Sequence, residues 1–227
     1  HIEYALGMVI TRRMYEDDLT DIMRGDKFRS MVRSQVLTRQ VHGARWFNFA
    51  TSNDQYFYVR SEAVPLASAS HTTRSTGVST ASGFSNLGTS ALSPTSYRAA
   101  RILMRKYKND RGDVTNIVPD MLVVPLDLEP RAKEIVGTEK SVDSNFNNIN
   151  PEYKTAKVVA WNQIASTTNW ALVNESMMKE NLLWWDRVKP DYESVKDFET
   201  KQIKWSGYMR YSTMALDWRW LFFASVS

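Results

Sequence analysis

From Arg12 to about Phe49 the apolar residues Met14, Leu19, Ile22, Met23, Phe28, Met31, Val32, Val36, Val41 and Ala44 recur mainly at intervals of three to five. That spacing lines up one face of a helix, and Arg29, Arg33, Gln40 and Arg45 fall opposite it. Gly25 and Asp26 interrupt the run, and Asp26 suits the cap of a second, longer helix of about 20 residues, roughly 30 Å at 1.5 Å per residue. A helix of that length is a spine to which other elements attach, not a connector.

Around the spine the pattern changes period. Residues 1–10, ending Met8-Val9-Ile10, read as a strand, and so does the aromatic, β-branched run Gln55 to Arg60. Between Ala67 and Ser96, 22 of 30 residues are Ser, Thr, Ala or Gly. That is too little apolar surface to fold alone and too long for an ordinary connection, which predicts an extended loop on a surface or against a partner. Ser93-Pro94 reads as N-cap and first helical position of a helix through Tyr97, Ala100, Met104 and Tyr107, stopping near Gly112. Asp120 to Pro125 is a short strand, and Asp127 to Gly137 a helix with acids first and glycine last. The polar stretch Ser141 to Asn150 is a loop. Lys157 to Trp161 and Trp170 to Val173 are strands, Leu182 to Arg187 a further candidate, and Lys189 to Glu199 a charged link. Ile203 to Tyr211 and Trp218 to Val226 read as a closing antiparallel hairpin. The fold class is therefore α+β, without internal repeats.

Composition excludes several functions. The 227 residues suffice for one large domain or two modest ones, and 43% hydrophobic with 24% charged residues is a globular balance. With no cysteine there is no disulfide framework, thiolate zinc site, iron–sulfur cluster or cysteine nucleophile. His1, His42 and His71 are isolated, so no pair has metal-ligand spacing, and no cofactor is expected. No apolar run approaches the roughly 18 residues needed to cross a bilayer. The net charge of +4 permits nucleic-acid contact without amounting to a basic arm. The first residues, His1 to Gly7, lack the n- and h-regions of a signal peptide and read as the processed remainder of a longer protein.

No motif assembles a catalytic constellation, so the chain does not read as an enzyme. Asp17, Asp18 and Asp21 have DDxxD spacing, but no second acidic motif accompanies them, and acids in the first turns of a helix complement its dipole. Gly83 to Ser90 has phosphate-loop glycine spacing with Thr89 in the lysine position, and a flexible tract precedes it where a strand is required. Ser79 and Ser85 have only half of the nucleophile-elbow pattern, with His71 in the same segment. Arg101, Arg105, Lys106 and Lys108 could track phosphates but form a solvated helix face most simply. Trp184-Trp185-Asp186-Arg187 and Trp218-Arg219-Trp220 suit core or protein interfaces more than base stacking.

The order of elements resembles the major head subunit of tailed bacteriophages, in the branch similar to the phage Mu head subunit. The resemblance runs through Ile2–Ile10 into Arg12-Arg13-Met14-Tyr15-Glu16-Asp17-Asp18-Leu19, the long helix ending Ala44-Arg45-Trp46-Phe47, and His71. It continues through Ala91-Leu92-Ser93, Ala99-Ala100-Arg101, Asp110-Arg111-Gly112-Asp113 and Val118 to Glu129. Asn150-Pro151, Trp170 to Val173 and Tyr211 to Ser225 complete it. It implies the Hong Kong 97-type capsid fold, with a long spine helix, a peripheral domain and an inserted axial domain. Carried over, residues 1–10 would be the returning strand of the extended loop, 11–114 and 196–227 peripheral, and 115–195 axial.

The resemblance further implies a structural protein that self-assembles into pentamers and hexamers of an icosahedral head around double-stranded DNA. Scaffolding, portal and decoration proteins become possible partners, a membrane does not. The location implied is the virion, after assembly in the bacterial host cytoplasm. Candidate subunit-interface residues are Arg29, Arg33 and Arg45 on the spine, Asn147 and Asn148 in the polar loop, and Trp184, Trp185 and Trp220. Two other readings stand beside it: an encapsulin-like bacterial shell around a protein cargo, and a single-stranded nucleic-acid-binding module using the tryptophan clusters.

Overall fold

The spine helix forms where the periodicity puts it. It is α2 (Lys27–Asn48), 22 residues and so about 33 Å long. A computed structural model describes residues 2–18, 26–53, the backbone of 58–59, 64–140 and 148–226. The chain packs as two units, His1–Gly43 with Trp184–Thr213, and Ala44–Leu183 with Met214–Ser227.

In the first unit, β1 (Ile2–Ile10) pairs antiparallel with β8 (Ile203–Ala215), Ile2 opposite Tyr211 and Ile10 opposite Ile203. On the same sheet β7 (Leu182–Lys196) pairs with β8. Burial along β8 alternates residue by residue, as a sheet covered on one face requires. The cover is α2. Phe28 packs on Trp205 and Tyr192 with ring centroids 5.0 and 5.5 Å apart. At Gly207 a Cβ would lie 2.6 Å from Gln35 Nε2, so the absent side chain lets the helix sit close. The short α1 (Arg12–Glu16) is N-capped by Thr11, whose hydroxyl accepts the Met14 N–H.

The second unit is built on a five-stranded mixed sheet. Its order is β3 (Leu87–Gly88), β9 (Leu221–Ala224), β6 (Trp170–Val173), β4 (Met121–Val124), β5 (Lys157–Ala160). Strands β6 and β9 are buried at every residue, as a sheet covered on both faces demands. Helices α3 (Pro94–Arg105), α4 (Glu129–Gly137) and α5 (Glu175–Asn181) complete the unit. Its core gathers Trp170, Trp218, Trp220, Tyr97, Tyr107 and Phe84 around Leu122 and Leu172. The two-residue β2 (Tyr58–Val59) pairs in parallel with Met214 and Ala215 at the end of β8.

Several expectations need correction. The closing hairpin does not exist: β8 and β9 belong to different sheets. The link between them carries Trp218 and Trp220, both fully buried, and their burial draws the chain into the second core. The charged link Lys189 to Glu199 is mostly strand, since β7 continues to Lys196. Helix α3 ends at Arg105 rather than near Gly112, because Asn109 Oδ1 accepts the Arg111 and Asp113 N–H groups and turns the chain. Val36 and Val41, expected on the buried stripe of α2, are 51% and 40% exposed. The Ser/Thr tract is pinned by buried Asn86. Its carbonyl accepts the Ser68 N–H and meets His71 Nε2, and its amide donates to Leu66 O. Leu19, Ile22, Met23, Gly25 and most of Gln55 to Arg60 lie outside the described residues.

Candidate subunit interface

In the first unit, the residues of α2 that touch the sheet are Phe28, Met31, Gln35, Arg39 and His42, spaced three or four apart. Around Tyr211 they form one cluster. Tyr4 stacks on one side of the Tyr211 ring at 5.0 Å and Trp184 at 4.6 Å. His42 Nδ1 and the Tyr211 hydroxyl are hydrogen-bonded. Arg39 lies 5.1 Å from the Trp184 ring centre and 5.5 Å from that of Tyr211, and donates to Asp186 Oδ2 at 3.0 Å. Trp184 Nε1 donates to Asp186 Oδ1 at 3.0 Å. Burial, and then Tyr4, push the Tyr211 pKa well up, which keeps the phenol neutral. Desolvation opposes the charge on Asp186, but the hydrogen bonds from Arg39 and Trp184 together hold its pKa below the ordinary value. This cluster fastens the spine to the sheet, and its polar groups face one another.

The outward face of α2 carries Arg29, Arg33, Val36, Leu37, Gln40 and Val41. Arg29 is exposed and 3.7 Å from Asp26, and Arg33 is exposed one turn on. Val36, Leu37 and Val41 are each 40% exposed or more, an apolar strip beside the two arginines. Arg45, further along, lies over the Phe49 ring at 4.6 Å.

At the far end of the sheet, residues 197–202 connect β7 to β8. Asp197 N–H donates to Gln202 O at 2.8 Å. The Asp197 carboxylate accepts from Glu199 N, Thr200 N and Lys204 Nζ. Those bonds, the Lys204 one first, bring its pKa down to about 2. Lys201 takes φ +54° and sets its ammonium 3.8 Å from the Phe198 ring centre. Phe198 itself is 84% exposed.

The predicted contact residues have different fates. Trp185 is 42% exposed and available. Trp184 is half-buried and stacked, so its ring face is already occupied. Trp220 is 0% exposed in the second core and cannot touch a neighbouring subunit or a base. Asn148 is exposed beside Ile149, itself 84% exposed, whereas Asn147 lies outside the described residues. Sequence reasoning missed Tyr4, Arg39, His42, Asp186 and Tyr211, which are far apart in the chain. It also missed Phe198, whose signal is a single aromatic residue inside a charged run between two strand patterns.

The weaker motifs are absorbed by structure. Asp17 caps the C-terminal end of α1 rather than sitting in a first turn, and Asp21 lies outside the described residues. Residues 87–88, inside the glycine-spaced segment, are strand, and the next helix begins only at Pro94, whereas a phosphate loop runs directly into a helix. His71 is stacked on Trp218 at 4.1 Å and bonded to Asn86, a structural position. Arg101 and Arg98 both pair with buried Glu152, Arg105 donates to Asn116, and Lys108 donates to Ser82, which uses up most of that basic group. Among the described residues no cluster of His, Asp or Glu could hold a metal, and no helix is long and apolar enough to cross a membrane.

The family described as phage capsid protein matches residues 3–222. The chain belongs to the phage capsid protein family. Among solved structures it is similar to the mature capsid of bacteriophage PhiM1, with a TM-score of 0.61 and 11% identity over 100% of this chain and 71% of that one. It is also similar to the capsid of a native GTA particle, with a TM-score of 0.55 and 11% identity over 99% and 72%. The encapsulin of the holo-SrpI complex from Synechococcus elongatus PCC 7942 has a TM-score of 0.52 and 10% identity over 99% and 74%. At such identities the likeness is one of fold, and the fold is the Hong Kong 97-type. No curated protein matches the sequence. The chain is thus a capsid protein by family and shares the fold of those shells.

Proposed function

We propose that this capsid protein is the repeating subunit of an icosahedral phage or prophage head, assembling through rings of five and six copies around double-stranded DNA. The observation that carries this reading is the family match over residues 3–222, nearly the whole chain. Subunits of this kind associate by heterologous contacts that close into rings. The exposed strip on α2, Trp185 and Phe198 offer unsatisfied apolar surface for them. Packaged DNA would meet the inner wall through weak, salt-sensitive contacts that ignore sequence. The product would be a component of the virion, built in the host cytoplasm, and the ordered motifs of the sequence support a Mu-like branch. Of the parts named by the resemblance, we draw the axial one from the second unit, whose β4, α4, β5 and β6 fall inside residues 115–195.

A second reading, an encapsulin-like shell around a protein cargo, is favoured by the fold likeness to the Synechococcus encapsulin. Electron microscopy of the expressed protein, with its neighbouring genes' products, tests both. Closed shells holding nuclease-protected DNA support the head. Shells holding a co-purifying enzyme and no protected DNA support the cargo shell, and monomers under every condition overturn both. The single-stranded nucleic-acid module is disfavoured by burial, since Trp220 is inaccessible and Trp184 already stacks on Tyr211.

A further inference from the structure

Strand β7 turns its even-numbered residues to the spine: Trp184 and Asp186 contact Arg39, and Tyr192 packs on Phe28. Side chains alternate along a strand, so Lys189, Asp191, Glu193 and Val195 stand on the opposite face of the sheet, and all four are exposed. The outward side of α2 carries a second row. Asp26, just before the helix, and Arg29, Arg33 and Leu37 follow one another at intervals of three or four residues, which places them on one side, and they too are exposed. Three or four helical residues rise about 5–6 Å, and two strand residues about 6.6 Å, so the rows keep step when laid parallel. Val195 then meets Leu37, Glu193 meets Arg33, Asp191 meets Arg29 and Lys189 meets Asp26. We propose that the outward side of α2 in one copy of this chain packs against the outward face of β7 in the next, through those four pairs. The inference rests on the shell reading and names one of its contacts.

Three observations choose β7 of a second copy as the occupant. The rows lie on opposite sides of one sheet, so a single chain cannot bring them together, whereas two copies can. Charge is complementary and unused: Arg33, Asp191 and Glu193 form no ion pair among the described residues. Between residues 27 and 48 the spine has five basic side chains and no acidic one, so two copies of α2 would repel, and the acids of β7 are what this side of the helix fits. Finally, each row carries apolar surface at the same end. Val36 and Leu37 are 51% and 50% exposed, and Val195 is 61% exposed. Burying these side chains supplies affinity, while the charged pairs fix the register and reject other partners. Nucleic acid would satisfy the arginines and leave the valines and leucine against a phosphate backbone. Because the two surfaces differ, the contact is head-to-tail and repeats from copy to copy until a ring closes.

The absence of cysteine makes the test direct. Copies carrying Leu37→Cys are mixed with copies carrying Val195→Cys, assembled, and oxidised with copper–phenanthroline. Disulfide-linked mixed dimers are expected at least ten times more abundant than in a control mixture of Leu37→Cys with Ser79→Cys, at an exposed position of the second unit. Without cysteines, Glu193→Arg is expected to lower shell yield severalfold, and Arg33→Glu in the same chain to restore it. Shells that form with no mixed disulfide above control overturn the contact and leave the shell reading intact. Full shell yield from both single charge variants, with less packaged DNA in Arg33→Glu alone, gives this side of α2 to DNA and also overturns the contact. Mixed disulfides without shells support the contact and overturn the shell reading. Neither shells nor mixed disulfides at high protein concentration overturn both.

Discussion

Asn86 shows how a single polar side chain can order a segment with little apolar content. It is fully buried, and its amide satisfies three groups at once: Ser68 N–H, His71 Nε2 and Leu66 O. A buried polar group left unpaired costs about 1–3 kcal/mol. Asn86→Ala strands several, so the second unit should lose about 2–4 kcal/mol, read as a fall in the denaturant midpoint with m unchanged. A loss below about 0.5 kcal/mol, the range of ordinary surface substitutions, would show that the tract is held by other means. The tract's composition correctly indicated that it cannot make its own core. That its apolar residues Phe84 and Leu92 are buried in the second unit was not legible, because the anchoring partners lie elsewhere in the chain.

At the scale of elements, local chemistry was read well and pairing less so. The N-terminus of α3 is where Ser93-Pro94 placed it, and Ser93 and Ser96 form a reciprocal capping box. Ser93→Ala should cost about 1 kcal/mol, visible as a small drop in thermal midpoint, while Thr95→Ala on the exposed side of the helix should be near neutral. Equal losses from both would remove the cap from the account. The β7–β8 connection gives a pH prediction. The folded Asp197 pKa, about 2, lies below the ordinary carboxylate value. Its stabilising contribution is therefore complete above about pH 4 and is lost as pH falls through 2. Amide exchange at Glu199 and Thr200, corrected for its intrinsic pH dependence, should lose protection over that interval and do so at every pH in Asp197→Ala. Strand order escaped the sequence for a physical reason. Two strand-like runs with a short link signal a hairpin, and only the burial of Trp218 and Trp220 shows that the chain changes sheets between them. The spine was legible as a helix, but its inward face uses Gln35, Arg39 and His42, which a hydrophobic pattern cannot select.

For the whole molecule, burial is divided unevenly between the units. Of the largest fully buried side chains, Met209 and Tyr211 belong to the first unit, while Trp170, Trp218, Trp220, Tyr97, Tyr107, Phe84, Met104, Leu122, Leu172 and Leu221 belong to the second. Buried aromatic and aliphatic side chains contribute about 1.5–3 kcal/mol each, so the second unit has much the larger store of apolar stabilisation. The first unit is also where the outward strip of α2, Trp185 and Phe198 are exposed. A shell contact that engages those residues binds the folded form and raises its apparent stability by mass action. Hydrogen exchange on the unassembled chain should accordingly show residues 2–10, 27–43 and 203–211 exchanging well before 121–124, 170–173 and 221–224. On assembly the first set should slow by at least about tenfold, equivalent to 1.4 kcal/mol of added protection, while the second set changes little. Uniform exchange in the free chain would show that the two units open together. Slowing confined to the second set would place the principal shell contacts there instead.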